Sequence, residues 1–289
     1  MKLTPRDTAL ATFAALIWGA TFPISAIALG ETSPIFFTFL RFLFAASFIM
    51  VIPRPKMTWA KLVLLGIVLG VGQYGSMFVA ISQGMPAGVA AVLVHTQAIF
   101  TVLLAIIFLN ERPEMRTFIT LLLASLGLVC LALDLAQGGI LVGFVLMIVA
   151  ALSAALGNVI LKTAGKVEML SVAVWMSLGP LIPLALLGAY LEGVPSLFLS
   201  LQNVTLMTLA AAGYSAVFAT VVVYTIWGRL LVTYSTGQVA PFFLLVPVFS
   251  LGMSAWVLGE QLSGLQLSGS VLILLGLITS ILPKRRGVI

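Results

Sequence analysis

Apolar residues in this chain come in long unbroken stretches rather than in alternation. Read between clusters of Pro, Gly and charge, ten runs emerge: Thr8–Leu29, Pro34–Ile52, Leu62–Ser82, Ala87–Leu109, Thr117–Leu133, Ile140–Leu161, Leu170–Leu191, Thr205–Trp227, Val239–Leu258 and Leu265–Leu282. A helix needs about 20 apolar residues to cross the hydrocarbon core. The pattern therefore predicts an all-α polytopic membrane protein with ten transmembrane helices. The third and fourth runs lie closest together, and Gln83-Gly84-Met85-Pro86 must make the turn between them. Continuous runs exclude the period-two strands of an outer-membrane barrel. Lys2 and Arg6 before the first run, and Ala26-Ile27-Ala28 within it, raise the question of a cleaved signal peptide. The run is longer than a usual signal core and carries Trp18, Pro23 and Ser25, so it reads as a retained first helix.

Composition agrees. Of 289 residues, 62% are hydrophobic and 8% charged, whereas soluble domains carry about 25% charge. So few charges cannot clothe a water-facing surface, which excludes a soluble fold, a disordered chain and a nucleic-acid binder. The net charge of +6 matters less than where it falls. With the N-terminus in the cytoplasm, thirteen of the fourteen Lys and Arg lie on cytoplasmic segments and the outer loops hold none. The fourteenth, Arg41, lies inside a span. This asymmetry predicts N-in, C-in topology and checks the span count. Cys130 is the only cysteine and cannot close an internal disulfide, and a lone His95 gives no multi-histidine metal cluster. Neither metal nor cofactor is expected.

Shifting the chain by 149 residues sets Gly88 on Gly237, Ala91 on Ala240, Phe100 on Phe249, Glu111 on Glu260, and Gly127 on Gly276. The expected units are residues 1–138 and 139–289, each of five helices. Five is odd, so the two repeats insert with opposite orientation, the architecture of secondary transporters.

Particular motifs carry a resemblance over nearly the whole chain. They are Trp18-Gly19, Leu40-Arg41-Phe42, Gly84-Met85-Pro86-Ala87-Gly88 and Asn110-Glu111-Arg112 in the first half. The second half has Tyr224-Thr225-Ile226-Trp227-Gly228, Ala240-Pro241, Leu245-Val246-Pro247-Val248, Leu258-Gly259-Glu260 and Gly276-Leu277. The chain resembles the EamA family of the drug/metabolite transporter superfamily, and within it the O-acetylserine/cysteine exporter branch. The resemblance implies a ten-helix inner-membrane exporter of small amino acids or related metabolites, with exporters of other small or drug-like solutes as the alternative.

A polar group inside a span is costly unless paired or wetted, so each is a candidate for the pathway. Arg41 either binds a substrate carboxylate or has a structural role, tying its helix to backbone carbonyls or snorkelling toward the outer surface; its presence in a family-wide motif favours the structural role. His95 shares a face with Gly88 and Ala91. It either lines a pathway or bonds across a helix interface, and protons are a candidate coupling ion through it. Gln97, about 200° further round the helix, is not expected at the same spot. Gln73 follows Gly66 and Gly70 on one face; the glycines read as a close-packing pair, Gln73 as cavity wall or interhelical bond. Asn158, with Gly157, reads as an inner-gate residue or a simple interhelical bond. Thr220, Tyr224 and Trp227 share a face, as an interfacial aromatic belt or a cytoplasmic gate. Tyr214 is nearer mid-span and expected inside the cavity, and Trp18 is a central cavity wall or packing residue. Pro241 and Pro247 should interrupt helix nine as hinges. Glu111 and Glu260, at matched helix ends, are expected to anchor loops or helix N-termini.

The leading reading is a secondary transporter with a small-molecule substrate in a lipid bilayer. No phosphate-binding loop supports direct ATP use. An intramembrane enzyme is the remote second class: serine chemistry would need a base, His95 is the sole histidine, and there is no G-x-S-x-G motif, carboxylate pair or HExxH motif. A scaffold subunit is the third class.

Overall fold

The structure is a computed structural model and describes residues 3–109, 115–234, 239 and 242–281. Among these residues every regular element is helical. The first run forms α1 (Pro5–Leu29), opened by Thr4, whose hydroxyl accepts the Asp7 amide. The second forms α2 (Pro34–Ala46), opened by Ser33, and ends in a single tight turn, Ser47–Met50. Both helices take Pro at the first position, where its missing N–H would have no partner in any case. The third run begins as α3 (Trp59–Ile67), widens into π-turns over Val68–Gly75 and resumes as α4 (Ser76–Ser82).

The fourth run is not one helix. It forms α5 (Ala87–His95) and α6 (Gln97–Leu109), parted at Thr96. Then come α7 (Met115–Gln137) and α8 (Leu141–Lys162). The seventh run is likewise split, into α9 (Met169–Met176) and α10 (Leu181–Leu191) around Ser177–Pro180. A short helix outside the predicted runs, α11 (Val194–Gln202), follows. The eighth run holds α12 (Leu206–Ala216), π-turns over Val217–Val222 and α13 (Val223–Thr233). The chain continues through α14 (Leu245–Leu258) and α15 (Gly264–Ile281).

Among the described residues five helices are long and apolar enough to cross a membrane: Pro5–Leu29, Trp59–Ser82, Leu141–Leu161, Met169–Leu191 and Leu206–Thr233. Shorter apolar helices occupy the other runs. Element positions recur along the chain. The π-turns start at Val68 and Val217, helices end at Leu109 and Leu258, and helices begin at Met115 and Gly264, each pair 149 residues apart. The opening helices, from Pro5 and Leu141, are 136 apart. The 13-residue difference falls where α11 is inserted.

Small residues set the packing. α7 lies along α15, and a Cβ on Gly127 would come within 2.6 Å of the Gly269 carbonyl. α1 lies along α14, with Gly19 against Phe249 and the Val246 carbonyl. Gly66 and Gly70 seat the third run against the break in the seventh, at Met176, Gly179 and Pro180. The close-packing reading of these two glycines therefore holds.

The two ends of the bundle differ in chemistry. At one end, four carboxylates reach from one half of the chain to the other. Thr205 donates to Glu31 and Ser33 donates to Glu192. Ser263 and Gln266 donate to Asp134. Glu260 accepts the amides of Ala87 at 2.6 Å and Gly88 at 3.1 Å, at the N-terminus of α5. Gly259 makes this possible by ending α14 in the left-handed region (φ 66°). At the opposite end, among the described residues, Lys61 donates to the Thr163 carbonyl and Arg229 pairs with Asp7, which also accepts from Tyr234. Large side chains, among them Phe37, Phe78, Leu93, Met85 and Met147, fill the acidic half of the bundle.

Candidate substrate cavity

A cavity of about 260 Å³ lies within the bundle. It is lined by Trp18, Arg41, Gln73, His95, Asn158, Tyr224 and Trp227, together with Thr21, Tyr74, Gln97, Phe243 and apolar residues that include Met77, Met169, Met176 and Val246. Residues predicted from separate spans thus meet at one place. The wall draws on both halves of the chain, and Arg41 is the one charged side chain in it among the described residues.

Arg41 is buried, at 5% exposure. Its guanidinium lies over the Tyr74 ring at 3.9 Å from the centroid, with Phe78 at 5.9 Å. Such stacking on desolvated rings contributes about 2 kcal/mol. Its Nη1 is buried and has no hydrogen-bond partner. The tie to backbone carbonyls, one of the expectations for Arg41, is not what holds this atom. A buried donor left unmade costs about 1–3 kcal/mol.

His95 is 4% exposed. Its Nδ1 lies 2.6 Å from the Ala91 carbonyl and its ring 4.9 Å from that of Phe243, while Nε2 has no partner. Gly88 and Ala91, expected to share its pathway face, instead pack: a Cβ on Gly88 would meet Leu251 at 3.0 Å, and Ala91 is fully buried. The expectation that Gln97 could not join His95 is corrected. Both line the cavity, because the helix breaks at Thr96 between them, where the Thr96 hydroxyl donates to the Leu93 carbonyl.

Asn158 makes the interhelical bond of one of its two readings. It lines the cavity and donates to Thr101 at 3.1 Å and Gln97 at 3.4 Å, bridging α8 to α6. Gln73 lines the cavity from within the π-turns.

Trp18, Tyr224, Trp227 and Phe243 pack on one another at the cavity. Trp18 sits at the centre of a cluster, with ring centroids 5.6 Å from Tyr224, 5.4 Å from Trp227 and 5.4 Å from Phe243. Its indole N–H donates to the Ala219 carbonyl at 2.9 Å. Ala219 lies in the π-turns of the eighth run, where the wider winding frees carbonyls for outside partners. Thr220, expected beside Tyr224 and Trp227, is turned away and donates to Ser215. Tyr214 is a correction: it lies outside the cavity wall, its hydroxyl donating to the Ile17 carbonyl at 2.8 Å and its ring stacked on Phe218. Among the described residues of the ninth run a turn falls at Leu244, and Pro247 occupies the first turn of α14, where lacking an N–H costs no intrahelical bond. Pro241, Gly237 and Glu111 lie outside the described residues.

The reading missed Tyr74, Phe243 and Gln97. Tyr74 stands next to Gln73, and an aromatic one residue from a mid-span amide was the available signal. Phe243 carried none, being one phenylalanine in an apolar run.

The helical bundle is thus hydrogen-bonded between its halves at one end and encloses an aromatic-walled cavity. The EamA-like transporter family matches residues 8–133 and again 141–282, and the chain belongs to that family. It is 35% identical over 98% of its length to a probable amino-acid metabolite efflux pump of Salmonella typhimurium, covering 97% of that protein. Its identity to the protein of the same description in Escherichia coli K12 is 34%, with the same coverage. An uncharacterised inner membrane transporter of Escherichia coli K12 is 25% identical over 87% of this chain and 82% of its own. One solved crystal structure shares the fold, with a TM-score of 0.61 and 17% identity over 97% of this chain and 99% of that one.

Proposed function

We propose that the protein is an inner-membrane secondary transporter that exports small amino acids or related metabolites, of the cysteine or O-acetylserine kind, by alternating access. The observation that carries the substrate class is Arg41. Its free Nη1 lies buried beside a cavity whose described lining holds no carboxylate, so a substrate carboxylate is its natural partner. The efflux-pump relatives support export of amino-acid metabolites. Ten spans in two inverted five-helix repeats, residues 1–138 and 139–289, with both termini cytoplasmic, fit the double family match and the recurrence of elements at 149 residues. In that orientation the sealed acidic end is periplasmic, and this state is the inward-facing one. Rocking the halves would open the acidic end and close the basic one around the cavity. Trp18, Arg41, Gln73, His95, Asn158, Tyr224 and Trp227 are the pathway residues of this reading, with Pro241 and Pro247 as hinge positions.

Counterflow in proteoliposomes tests it. Vesicles are preloaded with unlabelled solute and given labelled cysteine, O-acetylserine or other amino acids without a proton gradient. Transient accumulation of one label is expected. No accumulation by folded protein, with or without an imposed pH gradient, overturns the amino-acid assignment.

A further inference from the structure

The Nδ1 of His95 faces the Ala91 carbonyl at 2.6 Å, and a carbonyl oxygen can only accept. Nδ1 therefore carries the proton, and in the neutral ring Nε2 presents a lone pair. That atom is buried and has no partner. Unlike Arg41 Nη1, an unmet donor, it is an unmet acceptor, and the two belong to residues of one cavity wall.

The neighbourhood of His95 suits a cation. Phe243 lies against the imidazole at 4.9 Å, and its ring is in turn 5.4 Å from Trp18 and 5.9 Å from Trp227. Aromatic faces attract a positive group. Among the described lining residues no Lys donates there and no carboxylate competes. We infer that His95 reads the amino end of the transported solute, Nε2 accepting from its ammonium while the Trp18–Phe243 cluster faces the charge. His95 is then a specificity-determining residue, and the site accepts a dipolar solute by two opposite unmet bonds.

This rests on the exporter reading, so the test separates the two. Wild type, His95→Leu and His95→Gln are reconstituted as full-length protein. Counterflow of the best-carried amino acid is competed with that amino acid and with its analogue lacking the amino group. A hydrogen bond to a charged group supports about tenfold discrimination or more. Wild type should prefer the amino acid by about that factor. In His95→Leu the preference should shrink to near unity while the inhibition constant of the des-amino analogue stays unchanged. In His95→Gln, whose amide oxygen reaches near the Nε2 position, the preference should partly return. Loss of affinity for both competitors alike, or an unaltered preference in folded His95→Leu, overturns the inference and leaves the exporter reading standing. Failure of wild type to carry any amino acid overturns both.

Discussion

Arg41 shows how one residue can be right for the site and still carry a hidden partner. Its charge in a span marked it in the sequence, but what holds it is the face of Tyr74. Lys cannot reproduce a planar cation on a ring or a forked donor. Arg41→Lys should lower counterflow at least tenfold with little change in melting temperature. Tyr74→Leu should raise KM while leaving some transport, since the cation stays and its seat is lost. Measuring initial rates against substrate concentration, alongside thermal unfolding in detergent, distinguishes the two. An Arg41→Lys carrier with normal rates would return Arg41 to a purely structural role. At this scale most of the cavity was legible, because polar atoms in apolar spans stand out. Gln97 was misjudged since its position depends on the break at Thr96, which no Gly or Pro announces. Tyr214 was misjudged since mid-span depth does not say which way a ring points.

Helices behave by their ends and by their small residues. Glu260 replaces solvent at the first turn of α5 from another part of the chain. Losing a cap of this kind costs about 1–2 kcal/mol. Glu260→Ala should lower the melting temperature, with Glu260→Gln intermediate, and raise hydrogen exchange of the α5 amides. An unchanged exchange pattern would show that α5 is held without it. Gly127→Val should be worse placed still, because the new side chain meets the Gly269 backbone, and overpacking typically costs about 1–3 kcal/mol. Unchanged thermal unfolding of that variant would show that α7 and α15 separate freely. The helical runs were legible from length and hydropathy. The π-turns at Val68–Gly75 and Val217–Val222 were not, for a shift from i+4 to i+5 bonding leaves composition untouched.

Across the whole molecule, the acidic end joins the two chain halves at four places, and the alternating-access reading requires those joints to part. Introducing Cys at Ser33 and Glu192, in a Cys130→Ala background, should allow a crosslink in the resting state. Transport should stop on oxidation and recover on reduction. Full activity in the oxidised, demonstrably crosslinked protein would sink the idea that this end opens. The sequence predicted matched glutamates at helix ends and assigned them to anchoring, which Glu260 bears out. The remaining joints were not legible, because Ser33, Thr205 and Ser263 are ordinary loop residues whose neighbours are set only by the packed bundle.

The joints at the acidic end share one property: among the described residues every donor to Glu31, Asp134, Glu192 and Glu260 is a hydroxyl, an amide side chain or a backbone N–H, and none is a Lys or Arg. Attraction between opposite charges weakens as the Debye length shrinks from about 10 Å at 0.1 M salt to 3 Å at 1 M. Contacts between a carboxylate and a neutral donor act at bonding distance and escape most of that screening. These joints between the two chain halves should therefore hold almost equally well in dilute and in concentrated salt.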